Sequence, residues 1–252
     1  MTPTRSRWQG MLSIVRFNWP LYAAALAALL IASGATVFLT HPWLRFAAGI
    51  AALGAAYFGI VSLGVSHLIY DRSDLYRWHW LERALAGRRP SRIAVCHGGF
   101  DEVSAALHDL LQPREMRVLD HHDPLRMTEA SIHRARRLYP PTPGTDHAAH
   151  DHWPLADRSV DVVFGLLAIH EFRRDEERAQ WFSEAKRCLA ADGRIIVAEH
   201  LRDAANFIAY GPGALHFHSA ASWRRSWEMA GLTEADRFSI TPWVRVFVLT
   251  SP

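Results

Sequence analysis

Two long runs without a charged side chain stand out in the first part of the chain. Residues 17–44 hold no Asp, Glu, Lys or Arg, and residues 46–70 again hold none. A helix needs about 20 apolar residues to cross the hydrocarbon layer of a bilayer, so either run suffices. Neither run keeps the polar face that a helix of a soluble fold turns to water. They predict spans at about 19–40 and 46–68 within an N-terminal hairpin unit, residues 1–70. The break His41-Pro42-Trp43-Leu44-Arg45 makes the turn between them. Ala24, Ala28 and Ala32 in one run, and Ala48, Ala52 and Ala56 in the other, recur every fourth position. Such spacing lets two membrane helices approach closely.

Past the hairpin the pattern becomes amphipathic. Leu75, Trp78, Leu81 and Leu85 fall on one helical face, with Tyr76 and Trp80 at its margins. This predicts a juxtamembrane helix over 73–85, lying in the headgroup plane, within a linking segment 71–90. The competing reading packs the same face on the domain behind it. From residue 91 to 252 short apolar runs alternate with helical patterns, which argues an α/β domain with a parallel sheet. Strands are expected at 92–96, 116–120, 160–167 and 194–198, with a closing pair at 232–240 and 244–250. Helices are expected at 101–111, 128–138 and 175–189, and a last one capped by Ser222 and ended by Gly231. The Pro- and His-rich stretch 140–154 reads as a loop in place of a third strand.

Charge settles sidedness more than partners. Arg5, Arg7 and Arg16 precede the first span, and Arg72, Arg77 and Arg83 follow the second. Positive residues on both outer flanks imply a two-span membrane protein with both termini, and the domain, in the cytoplasm. A signal peptide cleaved near Ala32-Ser33-Gly34-Ala35 is the rival reading, and it would export the domain. The net charge of +3 is too mild for nucleic acid, and no basic stripe with interleaved aromatics is present. The arginines at 72–92 suit anionic lipid headgroups instead. Cys96 and Cys188 make no disulfide framework, which fits a reducing compartment.

Candidate chemistry gathers behind the strands, where open parallel sheets bind their ligands. His170-Glu171 follows one expected strand and Glu199-His200 its neighbour. Two His/Glu pairs could face one pocket, with a histidine near neutral pKa removing a proton, so these four are the catalytic candidates. His147, His150 and His152 beside Asp146 and Asp151, and His216-Phe217-His218, invite a metal reading, but no standard ligand spacing occurs and none is expected. Residues 206–218 are apolar and aromatic around Gly211-Pro212-Gly213, as a hinged lid over a greasy substrate would be.

Four stretches together resemble class I S-adenosylmethionine-dependent methyltransferases. Arg117-Val118-Leu119-Asp120-His121-His122-Asp123-Pro124, followed by Ala135-Arg136, is similar to that family's second strand and next helix. Trp153-Pro154-Leu155-Ala156-Asp157-Arg158-Ser159-Val160-Asp161-Val162-Val163 resembles the approach to its fourth strand. Ala185-Lys186-Arg187-Cys188-Leu189 with Asp192-Gly193-Arg194-Ile195-Ile196-Val197 resembles its fifth, and the final strand pair its closing hairpin. The resemblance implies a Rossmann-like sheet with a C-terminal antiparallel hairpin and S-adenosylmethionine as cofactor. It also implies that Asp120 accepts hydrogen bonds from the ribose hydroxyls, with His97, Gly98, Gly99, His121 and Asp151 completing the cofactor site. The first loop departs from the family pattern: Val95-Cys96-His97-Gly98-Gly99-Phe100 keeps two glycines but lacks the preceding acid. The expected activity is methyl transfer to a lipophilic, membrane-resident acceptor such as a lipid headgroup, a quinol or an isoprenoid product. The alternative is a catalytically silent domain that serves as a membrane-tethered binding or scaffold module.

Overall fold

The computed structural model describes residues 5–252, so the first four residues of the expected hairpin unit lie outside it. A short helix α1 (Gln9–Phe17) comes first, followed by α2 (Trp19–Phe38) and α3 (Pro42–His67). Among the described residues, α2 and α3 are the two helices long and apolar enough to cross a membrane. They lie against each other, with Tyr22 stacked on Phe58, and no residue of α2 is buried. The second helix starts earlier than its apolar run suggests because Pro42 opens it; a proline costs nothing in a helix's first turn. A single π-turn, Leu68–Arg72, ends α3.

The sequence pattern does not announce α1, which ties the hairpin to the rest of the molecule. Asp71 of the π-turn accepts from the backbone N–H groups of Gly10 (2.7 Å) and Met11 (3.1 Å), satisfying donors that a helix start leaves open. Gly10 is required there, since a Cβ would stand 2.3 Å from that of Tyr70. At the other end Phe17 packs edge-on to Phe100 and Tyr139 of the domain.

The expected helix over 73–85 forms only at α4 (Trp80–Leu85). Trp78 takes a positive φ of 70° and breaks it, and Asp74 caps the short remainder through the N–H of Trp80. Its apolar residues Leu75, Trp80, Leu81 and Leu85 are buried against the sheet, so this segment does not lie free in the headgroup plane. Burying four large apolar side chains on a sheet face that would otherwise be wet is the stronger attraction, at about 1.5–3 kcal/mol each.

Seven strands among the described residues form one sheet in the order β3-β2-β1-β4-β5-β7-β6. β1 (Arg92–His97), β2 (Glu115–Asp120), β3 (Thr145–His147), β4 (Val160–Leu166) and β5 (Leu189–His200) are parallel. β6 (Thr233–Thr241) and β7 (Val244–Thr250) close it antiparallel. The helices between strands are α5 (Ser104–Leu111), α6 (Ala130–Leu138), α7 (Asp175–Cys188), α8 (Ala204–Tyr210) and α9 (Ala220–Met229). Side chains alternate across the strands. Ile93, Val95, Val162, Phe164, Ile196 and Ala198 face the α4 side, while Ala94, Cys96, Val163, Ile195 and Val197 meet Trp181, Phe182 and Trp223.

Two expectations about local structure are corrected. The stretch 140–154 does contain a third strand, β3, paired with Val118–Asp120 at the sheet edge. Its three polar residues show no apolar alternation, and a short polar edge strand leaves no sequence signal. The last helix is capped by Ser219, which accepts from the N–H of Ser222, three residues before its expected cap.

Candidate functional site

The carboxyl ends of β1, β4 and β5 converge on one network. Glu199, near the end of β5, is fully buried, and its Oε1 accepts from the N–H groups of Ala168, Ile169 and His170 at 3.1, 2.8 and 3.3 Å. Those donors open the 3-10 turn Ile169–Glu171 behind β4, so Glu199 holds that turn in place. Its Oε2 meets His170 Nδ1 at 2.6 Å, while His170 Nε2 lies 3.3 Å from Glu171 Oε1. Burial disfavours the imidazolium, but Glu199 and Glu171 outweigh it and raise the pKa of His170 to about 10. Glu171 is lowered to about 2: burial works against this, and hydrogen bonds from His170 and His216 prevail. His170 is therefore a held cation in this arrangement, and the expectation of a neutral proton-removing base does not describe it.

His200 sits beside this network with both ring nitrogens occupied. Nδ1 lies at 3.0 Å from the Trp243 carbonyl and 3.1 Å from Asn206 Oδ1, and Nε2 at 2.8 Å from Tyr70 Oη. Burial, reinforced by the charge of His170, lowers its pKa to about 4. It is a neutral hydrogen-bonding post between the hairpin and the domain.

On the β1–β2 side the expected cofactor residues are together but closed. Asp120 ends β2 almost fully buried; its Oδ2 pairs with Arg136 at 2.6 Å and its Oδ1 accepts from the N–H of His122. His97 Nδ1 accepts from the N–H of Gly99, so its 3.5 Å approach to Asp120 Oδ1 brings two acceptors together and is no ion pair. Gly99 has a φ of 109°, and a Cβ there would stand 2.9 Å from the His122 ring. A Cβ on Gly98 would meet the Ala168 carbonyl and Glu171. His121 belongs to the core: Nδ1 donates to the Ala148 carbonyl at 2.8 Å and Nε2 accepts from Trp181 Nε1 at 3.1 Å. Burial pushes its pKa down to about 4, so it stays neutral and has no nitrogen left for a ligand. Asp151 is exposed, near His150 and apart from this cluster.

Between the two sides and the hairpin lies a cavity of about 430 Å³. Its walls mix Phe17, Tyr22 and Phe58 of the N-terminal helices with Gly98, His170 and His216 of the domain. Sequence reasoning missed the contribution of α1 through α3, because nothing in an apolar run says which of its residues will face a site. It also missed Glu129, at the start of α6, whose carboxylate lies 3.5 Å from His216 Nδ1.

The profile of the family described as "Methyltransferase domain" matches residues 122–197, from just past β2 into β5. That stretch is similar to a methyltransferase domain, and the sheet that contains it has the matching α/β order. No curated protein matches it. Among solved structures, a candidate O-methyltransferase from Nostoc punctiforme shares 14% identity over 96% of this chain and 72% of its own, with a TM-score of 0.55. A SAM-dependent methyltransferase from Aquifex aeolicus shares 13% over 63% of this chain and 81% of its own, with a TM-score of 0.48. At such identities the first likeness shows the fold alone.

Methyltransferases of the kind the chain resembles use S-adenosylmethionine, and the residues present fit it in part. The Gly98-Gly99 turn is preserved, and His97 Nε2 and His122 Nε2 are buried with no partner among the described residues, as groups awaiting a polar ligand would be. Asp120 does not fit as it stands, because Arg136 occupies the carboxylate that a ribose would need.

Proposed function

We propose that this methyltransferase acts on a lipophilic acceptor dissolved in the membrane. In this reading α2 and α3 anchor the chain as a two-span hairpin, with both termini and the domain on the cytoplasmic side. The observation that carries it is the cavity, whose walls come jointly from the apolar helices and from the carboxyl ends of β1 and β4. A diffusible substrate gives no reason to build a site from anchor side chains; a membrane-dissolved one gains effective concentration there. A lipid headgroup, a quinol or an isoprenoid product would meet these terms. Gly98, Gly99 and, once freed of Arg136, Asp120 would hold the cofactor, which supplies the methyl group. His170, held between Glu199 and Glu171, fixes the Glu171 carboxylate on the cavity wall, and His200 fixes the wall beside it.

The Asp120–Arg136 pair also favours a second reading, in which the domain keeps the fold without the cofactor and serves as a tethered binding module; fold alone does not license activity. Equilibrium binding of S-adenosylmethionine to the detergent-solubilised full chain, beside Asp120→Ala, separates the two. Micromolar binding that the substitution abolishes supports methyl transfer. A folded protein that binds none supports the silent module.

A further inference from the structure

One cluster on the cavity wall is arranged as a metal centre. His170, Glu171 and His216 each offer a ligand atom, and these atoms lie within 4.8 Å of one another. Glu171 Oε1 stands 3.3 Å from His170 Nε2 and 3.7 Å from His216 Nε2. With metal–ligand bonds of about 2.0–2.1 Å, neighbouring atoms of a tetrahedral site stand roughly 3.3 Å apart, so Glu171 stands close to ligand spacing from each histidine, and a small inward turn of the two rings would close the set around an ion. The two rings meet nearly at right angles, with centroids 5.3 Å apart.

The outer nitrogens strengthen this. Histidines that bind metals almost always give their other N–H to a carboxylate or carbonyl, which fixes the tautomer and aims the free lone pair. His170 Nδ1 has Glu199 at 2.6 Å, and His216 Nδ1 has Glu129 at 3.5 Å. Each imidazole thus turns Nε2 inward toward one carboxylate. Arg173 also approaches His216 Nδ1 at 3.3 Å, but it has the His216 carbonyl as a second partner to keep. Glu171 supplies an independent sign: its Oε2 is buried and has no hydrogen-bond partner among the described residues. A buried carboxylate oxygen left without a donor costs stability unless something positive meets it.

We propose that His170, Glu171 and His216 bind one divalent transition metal ion, with Glu199 and Glu129 orienting the two imidazoles. Two histidines and one carboxylate leave coordination positions open, a donor set that suits zinc, manganese or iron(II). On binding, the ion takes the place of the proton on His170 Nε2, which passes to solvent. The open positions face the cavity and would take an oxygen of the acceptor, a role that rests on the methyl-transfer reading; the ion itself does not.

The test is the metal content of the full chain purified in detergent without chelators, followed by titration of stripped protein with Zn²⁺ and with Mn²⁺. The site predicts about one equivalent per chain for one of these ions, lost in His216→Ala and in Glu171→Gln. Glu199→Gln, which removes no ligand, should weaken binding roughly 10- to 100-fold. A double His147→Ala, His152→Ala variant should retain the ion. Circular dichroism of each variant confirms folding. A folded wild-type chain that binds neither ion, or an equivalent that survives His216→Ala, overturns the proposal. Binding of S-adenosylmethionine, measured on the same stripped samples, decides the methyl-transfer reading separately.

Discussion

The two halves of the site, both at the carboxyl ends of the sheet, treat buried charge in opposite ways. On the β1–β2 side the protein closes the carboxylate itself: Arg136 and the His122 N–H hold Asp120, and His121 is spent on Ala148 and Trp181, which leaves only the Nε2 atoms of His97 and His122 without a partner among the described residues of that cluster. On the β4–β5 side Glu199 is satisfied four times over, yet its neighbour Glu171 keeps an oxygen without a partner among the described residues on the cavity wall. The first half has to open before a ligand can use it. The second half is built with a place left for one. In the proposed reading, the standing part of the site would serve the acceptor and the part that must rearrange would serve the cofactor.

The largest effect that could break this contrast is at Glu199. Glu199→Gln removes a fully buried charge and leaves the His170 cation short of its main partner. Breaking a buried pair from one side should cost about 4 kcal/mol in chemical denaturation of the solubilised chain. A loss below 1 kcal/mol would mean that the pair is not the pillar of the β4–β5 side.

Acid should strike the closed side next. His121 is held neutral with a pKa of about 4, against an ordinary value of 6.5. The unfolded chain therefore binds more protons between these values, and stability falls as pH drops through that window. The share from His121 should total about 3 kcal/mol, and since His200 is also held neutral with a pKa of about 4, His121→Asn should lessen that slope in denaturant midpoints from pH 7 to pH 4 without abolishing it. An unchanged slope would show that His121 is not held neutral by its two hydrogen bonds.

A smaller effect sharpens the contrast directly. If Arg136 blocks the carboxylate, Arg136→Ala should tighten S-adenosylmethionine binding about tenfold, near 1.4 kcal/mol, in a calorimetric titration. Weaker binding in that variant would mean that the arginine helps to hold the cofactor, and that the closed half is not closed.

Much of this was legible in the sequence, and what escaped did so for identifiable reasons. Apolar runs without charge gave the two long helices, and short apolar runs at 92–96 and 160–167 between helical patterns gave the sheet. The family resemblance rested on stretches that the profile match partly covers. β3 was hidden because an edge strand of Thr145, Asp146 and His147 needs no hydrophobic face. The segment around Leu75 and Leu81 had the right amphipathic pattern, but a pattern names a face without naming what covers it. His170 and Glu199 were legible as a pair of positions behind neighbouring strands. Their protonation was not, because it depends on a 2.6 Å contact that only folding creates. Likewise Asp120 was placed correctly at the end of β2, while its capture by Arg136 depends on how α6 packs.

The central claim is that the cavity serves an acceptor dissolved in the bilayer. The most direct measurement reconstitutes the full chain in vesicles of native membrane lipid and supplies S-adenosylmethionine labelled on its methyl group. The account predicts label in the organic-extractable fraction, abolished by Asp120→Ala and by Glu171→Gln. Label that enters only water-soluble acceptors, or no transfer by a protein that binds the cofactor and remains folded, would contradict it.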